Sequence, residues 1–403
     1  MARPIPFRSL FMASVLACLA PACGAAEPVT SNVAAAQRPS QHEQDLTAFL
    51  LESHTVSLLR KGVQAAFAKR DKEAQAKPSL RVELVEHYMR VKSEQAMAAD
   101  LARQCAGKLT PADVSAALAT ARIPLVSSAL REANENGKSP IRLSAAQQQD
   151  VERIWAGPGG QALRGVAQCA IDRETMNQLM AAHERALTQD LSAMATRLYQ
   201  LDHEGGRGVA DIPHERTGLP IYDRVLEAME TALRRCFTAR DRVNAIVNRQ
   251  TREAVLASAN LVSAEGIARM RAALDEREQA MQAFYREMED VTHWRADQLR
   301  EVQPFIPGGS ATNLDATVGQ QLAALAQASE SSQRVLEMDR RMASFAQARL
   351  GSVRLSDGKL AFGTQADADA WKEMNSERAA LEHDAVGWLD RMVGATAVPA
   401  RAK

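Results

Sequence analysis

Aromatic residues are scarce in this chain, at 4% of 403 positions, and net charge is absent, since 49 basic side chains meet 49 acidic ones. The first shortage leaves alanine, leucine, glutamine, glutamate and arginine to dominate. That mixture favours helix, because unbranched side chains lose little rotamer freedom there and alanine loses none. The second means that nothing in the charge calls for nucleic acid or an anionic membrane as partner. Long apolar runs are missing too. Beyond the N-terminus no segment reaches the about 18 uncharged apolar residues that span a bilayer, so the mature chain is not expected to cross one. No C-x-x-C pair occurs, which excludes a zinc ribbon or thioredoxin-like redox motif, and no G-x-S-x-G elbow occurs to present a nucleophilic serine.

What is present begins with an export pattern. Arg3 and Arg8 form a positive n-region, Ser9 to Ala20 an apolar stretch, and Ala22 to Ala26 a run of small residues before Glu27 and Pro28. Residues 1–26 therefore read as a signal peptide and the protein as periplasmic, within the cell envelope. Cys18, after Val15-Leu16-Ala17, and Cys23, after Ala20-Pro21-Ala22, stand where a bacterial lipoprotein carries its acylated cysteine. Two readings stay open: a lipid-anchored protein, with the anchor as its membrane contact, or ordinary cleavage between Ala22 and Ala26. Residues 27–42, rich in Pro, Ser, Asn, Ala and Gln, read as a flexible tether.

From Glu43 onward apolar residues recur at helical spacing. Leu46, Phe49, Leu50, Val56, Leu59, Val63 and Phe67 mark one helix face. Ser79 is placed to cap a second helix, with Val82, Val85, Met89, Met97 and Leu101 on its face. Thr110-Pro111-Ala112-Asp113 is a helix start, with a capping hydroxyl, proline at the first helical position and an early carboxylate. Pro124 is expected to kink or break that helix. A polar loop is expected from Asn134 to Pro140. Leu143-Ser144 opens another helix through Val151, Ile154 and Trp155, Gly157-Pro158-Gly159-Gly160 breaks it, and a further helix is expected near Gln161. Residues 43–202 thus form a helical N-terminal domain, and the glycine- and proline-bearing stretch 203–218 a linker.

Over residues 219–394 the rhythm tightens to alternating steps of four and three. It runs through Val225, Met229, Ala232, Cys236, Ala239, Val243 and Ile246, then Ile267, Met270, Leu274, Met281, Phe284, Met288 and Val291, then Val318, Leu322 and Leu325. These are narrow, coiled-coil-like seams that pack long helices nearly antiparallel. Pro304, Pro307, Gly308 and Gly309 supply a corner. Val353 to Phe362 alternates with period two around Asp357-Gly358, the pattern of one short β-hairpin. A last helix presents Trp371, Met374, Leu381, Trp388 and Met392, and residues 395–403 read as a disordered tail. The expected fold is all-α: a compact helical N-terminal domain plus an elongated antiparallel helical bundle with one short β-hairpin.

Candidate chemistry is sparse. His183-Glu184, His203-Glu204 and His214-Glu215 each begin like the zinc-protease motif, but none has a second histidine one helical turn on. Surface or linker histidine is the reading for all three. Asp290 and His293 give a single Asp-x-x-His, where a di-iron bundle needs facing copies. The methionines at 270, 281, 288, 338 and 342 read as core, with a methionine-lined partner groove as the alternative. Cys105 and Cys169 lie in one expected domain and are the favoured disulfide pair. The competing reading makes them small buried hydrophobes, which suits Cys236 on its apolar stripe. No cofactor or metal is called for.

At 143–163 the Leu-Ser helix start, the aromatic at the helix end and the small-Pro-small-Gly turn with Gln resemble a family of bacterial periplasmic helical domains of unknown function. Gly157 stands where that family has Ser or Thr, and Trp155 near its Phe-Tyr pair. The resemblance implies an exported helical domain and adds no catalytic residue. Together these readings lead to an exported, non-enzymatic envelope protein that binds a protein partner or supports envelope assembly, with self-association open. The other reading is an enzyme or small-ligand carrier whose site assembles between distant helices, with Asp290, His293 and Trp294 as its candidates.

Overall fold

The computed structural model describes residues 38–73, 80–136, 144–203, 208–302, 311–356 and 358–396. The fold is all-α with one two-stranded antiparallel hairpin. The described chain divides into two compact units, the first from Val29–Asp190 with Thr217–Pro220, the second from Leu191–Arg216 with Ile221–Lys403. The expected signal peptide with Cys18 and Cys23, residues 27–37 of the expected tether, Ser79, the 137–140 part of the expected polar loop, Leu143, Glu204, Gly205, Gly206, the Pro304–Gly309 corner, Asp357 and residues 397–403 of the expected tail lie outside the described residues.

In the first unit, α1 (Gln41–Glu52) starts two residues inside the expected tether. Ser40 and Glu43 close a reciprocal capping box there, satisfying two amides that would otherwise lack partners. Then come α2 (Thr55–Glu73), α3 (Leu80–Val91) and α4 (Glu94–Cys105), the last capped by Ser93. Helix α5 (Pro111–Ala121) carries the Thr110 cap and Pro111 at its first turn. Pro124 breaks the chain as expected, by opening α6 (Pro124–Asn136), because proline at a helix start forfeits no hydrogen bond. Helix α7 (Ala145–Ala156) is capped by Ser144 with Gln147. Helix α8 (Pro158–Ile171) begins earlier than Gln161, since Pro158 takes the first helical position and Gly157 serves as end of one helix and start of the next.

Glycine is required in that turn by space. A Cβ on Gly160 would lie 2.5 Å from the Trp155 carbonyl oxygen and 2.6 Å from that of Ile154. A Cβ on Gly159 would collide with the Thr120 hydroxyl of α5. Bare backbone thus lets α8 start against the end of α7 and the flank of α5. Helix α9 (Arg173–His203), whose residues from Leu191 onward belong to the second unit, comes after Asp172, whose carboxylate accepts the Glu174 and Thr175 amides. The core joins Leu46, Phe49, Met97, Leu101, Val114 and Leu163 from neighbouring helices. Burying each large side chain contributes about 1.5–3 kcal/mol.

In the second unit, α10 (Pro220–Arg252), α11 (Ala264–Val302), α12 (Ala311–Gln347) and α13 (Gln365–Thr396) are the long helices. Polar pairs record their directions. Between α11 and α12, Arg271 meets Ser344, Asp275 meets Arg340, Tyr285 meets Ser332, Arg295 meets Gln321 and Arg300 meets Asp315. Partners climb one helix as they descend the other, so the helices are antiparallel in a single register. The pairs Arg235–Glu287 and Arg249–Glu276 fix α10 on α11 in the same sense, and Arg378–Asp339 with Arg349–Asp367 fix α13 on α12. Most seam positions are buried: Val225, Met229, Ala232, Cys236, Ala239 and Val243 on α10, Ile267 through Val291 on α11, and Val318 and Leu325 on α12, whereas Ile246 and Leu322 are half-buried. Met270, Met281, Met288, Met338 and Met342 are all buried, which removes the methionine-groove alternative.

Strands β1 (Arg354–Ser356) and β2 (Lys359–Ala361) pair Leu355 with Leu360, and Gly358 takes the left-handed φ of +73° that the turn needs. Phe362, just beyond β2, packs edge-on to Phe345, and Trp371 lies beside both rings. Residues 395 and 396, expected in the tail, continue α13.

Candidate functional site

A cluster of titratable groups in the first unit forms around a residue that the apolar pattern passes over. The deeply buried stripe of α3 is Glu83, Leu84, His87, Tyr88 and Met89, whereas Val82 and Val85 are half-buried. His87 faces His183 of α9, with Nδ1 and Nε2 3.0 Å apart and the rings stacked at 5.2 Å between centroids. Its Nε2 lies 3.1 Å from the Thr217 carbonyl oxygen. A carbonyl only accepts, so His87 Nε2 carries a hydrogen and donates it. In the neutral pair His87 Nδ1 is then bare, and it accepts from His183 Nε2–H.

Tyr88 packs edge-on against the His183 ring and donates its hydroxyl to Asp100 Oδ2 at 3.0 Å. Burial, then the neighbouring Asp100 charge and that hydrogen bond, push the phenol well above its ordinary range. Asp100 is also paired with Arg103, and Lys92 lies 3.5 Å away. Burial drives His183 down to about 4, helped by the positive charge that His87 can carry and by Lys92, and opposed by Asp100. Sequence reasoning passed over His87 and placed His183 on the surface. The correction has a visible source: Leu80, Leu84, His87, Tyr88 and Val91 already keep helical spacing, with a histidine inside the apolar register.

A second feature is a groove of about 540 Å³ formed by α6, α7 and Arg164 of α8. Val126, Leu130, Ala133, Val151 and Trp155 line it with apolar surface, and Glu152 and Arg164 stand at its edges. Helix α7 buries none of its residues fully, although it carries Val151, Ile154 and Trp155. The Arg164 guanidinium lies 5.9 Å from the Trp155 ring centroid, and among the described residues it meets no carboxylate.

The remaining candidates are dispersed. Cys105, at the end of α4, is bonded through sulfur to Cys169, near the end of α8, with Cα atoms 6.1 Å apart. Cys236 forms no disulfide and is buried in α10. Asp290 and His293 are exposed on α11 and Trp294 is half-buried. His214 reaches Glu230 at 3.2 Å, and Glu230, buried in α10, also takes Arg216 at 2.6 Å and the Glu215 amide at 3.1 Å. The described end of the expected linker is therefore strapped down by one carboxylate. Among the described residues no group of three histidine, cysteine or carboxylate side chains is placed to hold a metal ion, and no helix is long and apolar enough to cross a membrane. Comparison with family profiles, with curated proteins and with solved structures finds no match.

Proposed function

We propose that the protein is an exported, non-enzymatic envelope protein that binds a protein partner, and that it takes an amphipathic helix of that partner into the groove over Trp155. The observation that carries this reading is the apolar lining of the groove together with a half-buried tryptophan and an arginine that meets no carboxylate among the described residues. Helix-in-groove recognition uses such a surface, reading apolar anchors one turn apart. A carboxylate on the partner helix would meet Arg164 and a basic side chain would meet Glu152, so the occupant is apolar on one face and carries charge of both signs at its edges. Buried aromatics are the usual energetic anchors of interfaces, while an exposed charge at the rim adds orientation more than affinity.

A photo-crosslinking residue at position 152 of the full chain tests this in envelope extract, with a second at position 282 of the other unit as control. The reading expects a crosslink from position 152 to an amphipathic helical segment. Trp155→Ala should weaken that partner's binding by about thirtyfold, an anchor's share of about 2 kcal/mol. Crosslinks to a lipid or small molecule would favour the carrier reading instead, and equal yields from both positions would remove the groove from the proposal.

A further inference from the structure

We propose that the His87–His183 pair is a proton-operated latch that holds the Thr217–Pro220 segment against α3 at neutral pH and releases it in acid. The inference is independent of the groove. It starts from hydrogen positions, which the partners dictate. One added proton is tolerated: His87 keeps Nε2–H on the Thr217 carbonyl and uses Nδ1–H to donate to His183 Nε2, which is bare once His183 takes its other tautomer. A second proton puts hydrogens on both facing nitrogens, 3.0 Å apart, and like charges on stacked rings. The contact must then open, and His87 loses the position from which it holds Thr217.

The segment is fitted closely to this pair. Gly218 has φ +81°, and a Cβ there would lie 3.0 Å from His87 Nε2, so the chain reaches this distance only with glycine in a left-handed conformation. Arg90, one turn along α3, donates to the Gly218 carbonyl at 2.6 Å. Charged groups of both signs stand around the rings. Lys92 adds positive charge, and Asp100 is already shared among Tyr88, Lys92 and Arg103. Glu83 is buried one turn before His87 on α3. One turn to either side of His183, α9 places Leu179, Met180, Ala186 and Leu187, and the segment itself is Thr217-Gly218-Leu219-Pro220, all uncharged.

The sign of the pH dependence comes from the depressed proton affinity of His183. Released, the ring titrates near the ordinary histidine value of about 6.5, whereas latched it titrates at about 4. Between those values the released form binds more protons, so the latch is complete above the upper one and is lost as pH falls towards the lower. Each unit of depression corresponds to a factor of about ten in the opening equilibrium, discounted here because His183 is only half-buried.

Hydrogen exchange of the full chain tests the latch, tracked across Thr217–Leu219 between pH 7 and 4 and corrected for intrinsic amide rates. The expected result is a rise of at least about tenfold in relative exchange at the acid end. His183→Gln keeps a side-chain N–H towards His87 but cannot take a proton, so its corrected profile should stay flat. Histidine ring NMR on the unaltered protein gives a second readout that depends on no variant. His183 should titrate far below the ordinary value, together with the shift of the Thr217 amide. Unchanged exchange down to pH 4, the same acid rise in the variant, or ordinary titration of His183 would each overturn the proposal.

Discussion

The bridge between Cys105 and Cys169 permits the sharpest test of how the first unit is stabilised, because the perturbation removes one bond and no atoms that pack. It joins the last residue of α4 to a site near the end of α8, across a sequence separation of 64. Closing a loop of that length in the unfolded chain removes entropy worth about 4 kcal/mol at room temperature. For a unit of this size each kcal/mol moves the midpoint by about 2–4 °C, so reduction should lower its melting temperature by roughly 8–16 °C. The assay is thermal unfolding of the full chain by calorimetry, oxidised and with dithiothreitol. Cys236→Ser serves as control, because Cys236 forms no disulfide and its loss should leave the reduction-dependent shift unchanged. A shift below about 2 °C, in protein whose oxidised thiol count confirms the bridge, would refute the loop-entropy reasoning. It would mean that the reduced, unfolded chain is still held compact near these cysteines.

Other perturbations test packing and charge. Gly160→Ala should destabilise the first unit by about 1–3 kcal/mol in urea titration, since the added methyl meets the backbone of Ile154 and Trp155 rather than a side chain able to turn away. Glu230→Ala strands Arg216 and the Glu215 amide and should cost about 2–4 kcal/mol, with Glu230→Gln costing less because it keeps an acceptor; both are read by chemical denaturation. Gln250→Ala should cost about 1–3 kcal/mol by the same assay. Gln250 donates to the Ala273 carbonyl and accepts from buried Arg277, whose guanidinium burial already pushes below its ordinary range.

Much of the architecture was legible because helix periodicity is a local property. The α11 seam from Ile267 to Val291 is buried at every position it names, and Thr110 and Ser144 cap because a hydroxyl before a helix has nearby amides to accept from. The Ser93 cap was not read, and it divides the single helix expected from Val82 to Leu101 into α3 and α4. The hairpin was readable from alternation around Gly358, whose left-handed φ a side chain would resist. Local pattern failed where a polar residue occupied an apolar place. The buried stripe of α3 runs through Glu83 and His87, and ranking by apolarity chose Val82 and Val85 instead. A histidine can be buried there only because its partners come from 96 and 130 residues away along the chain.

Composition, spacing and caps by themselves determined the helical class, the seams and the breaks at Pro124 and Gly157, since each depends on atoms within a few residues. Tertiary structure alone decided which side chains meet: the stacked histidines, the strap on Glu230, the antiparallel registers of the long helices and the groove over Trp155. The physical reason is that a polar group's burial is permitted by whichever distant donor or acceptor the fold delivers, and spacing along the chain carries no record of that delivery.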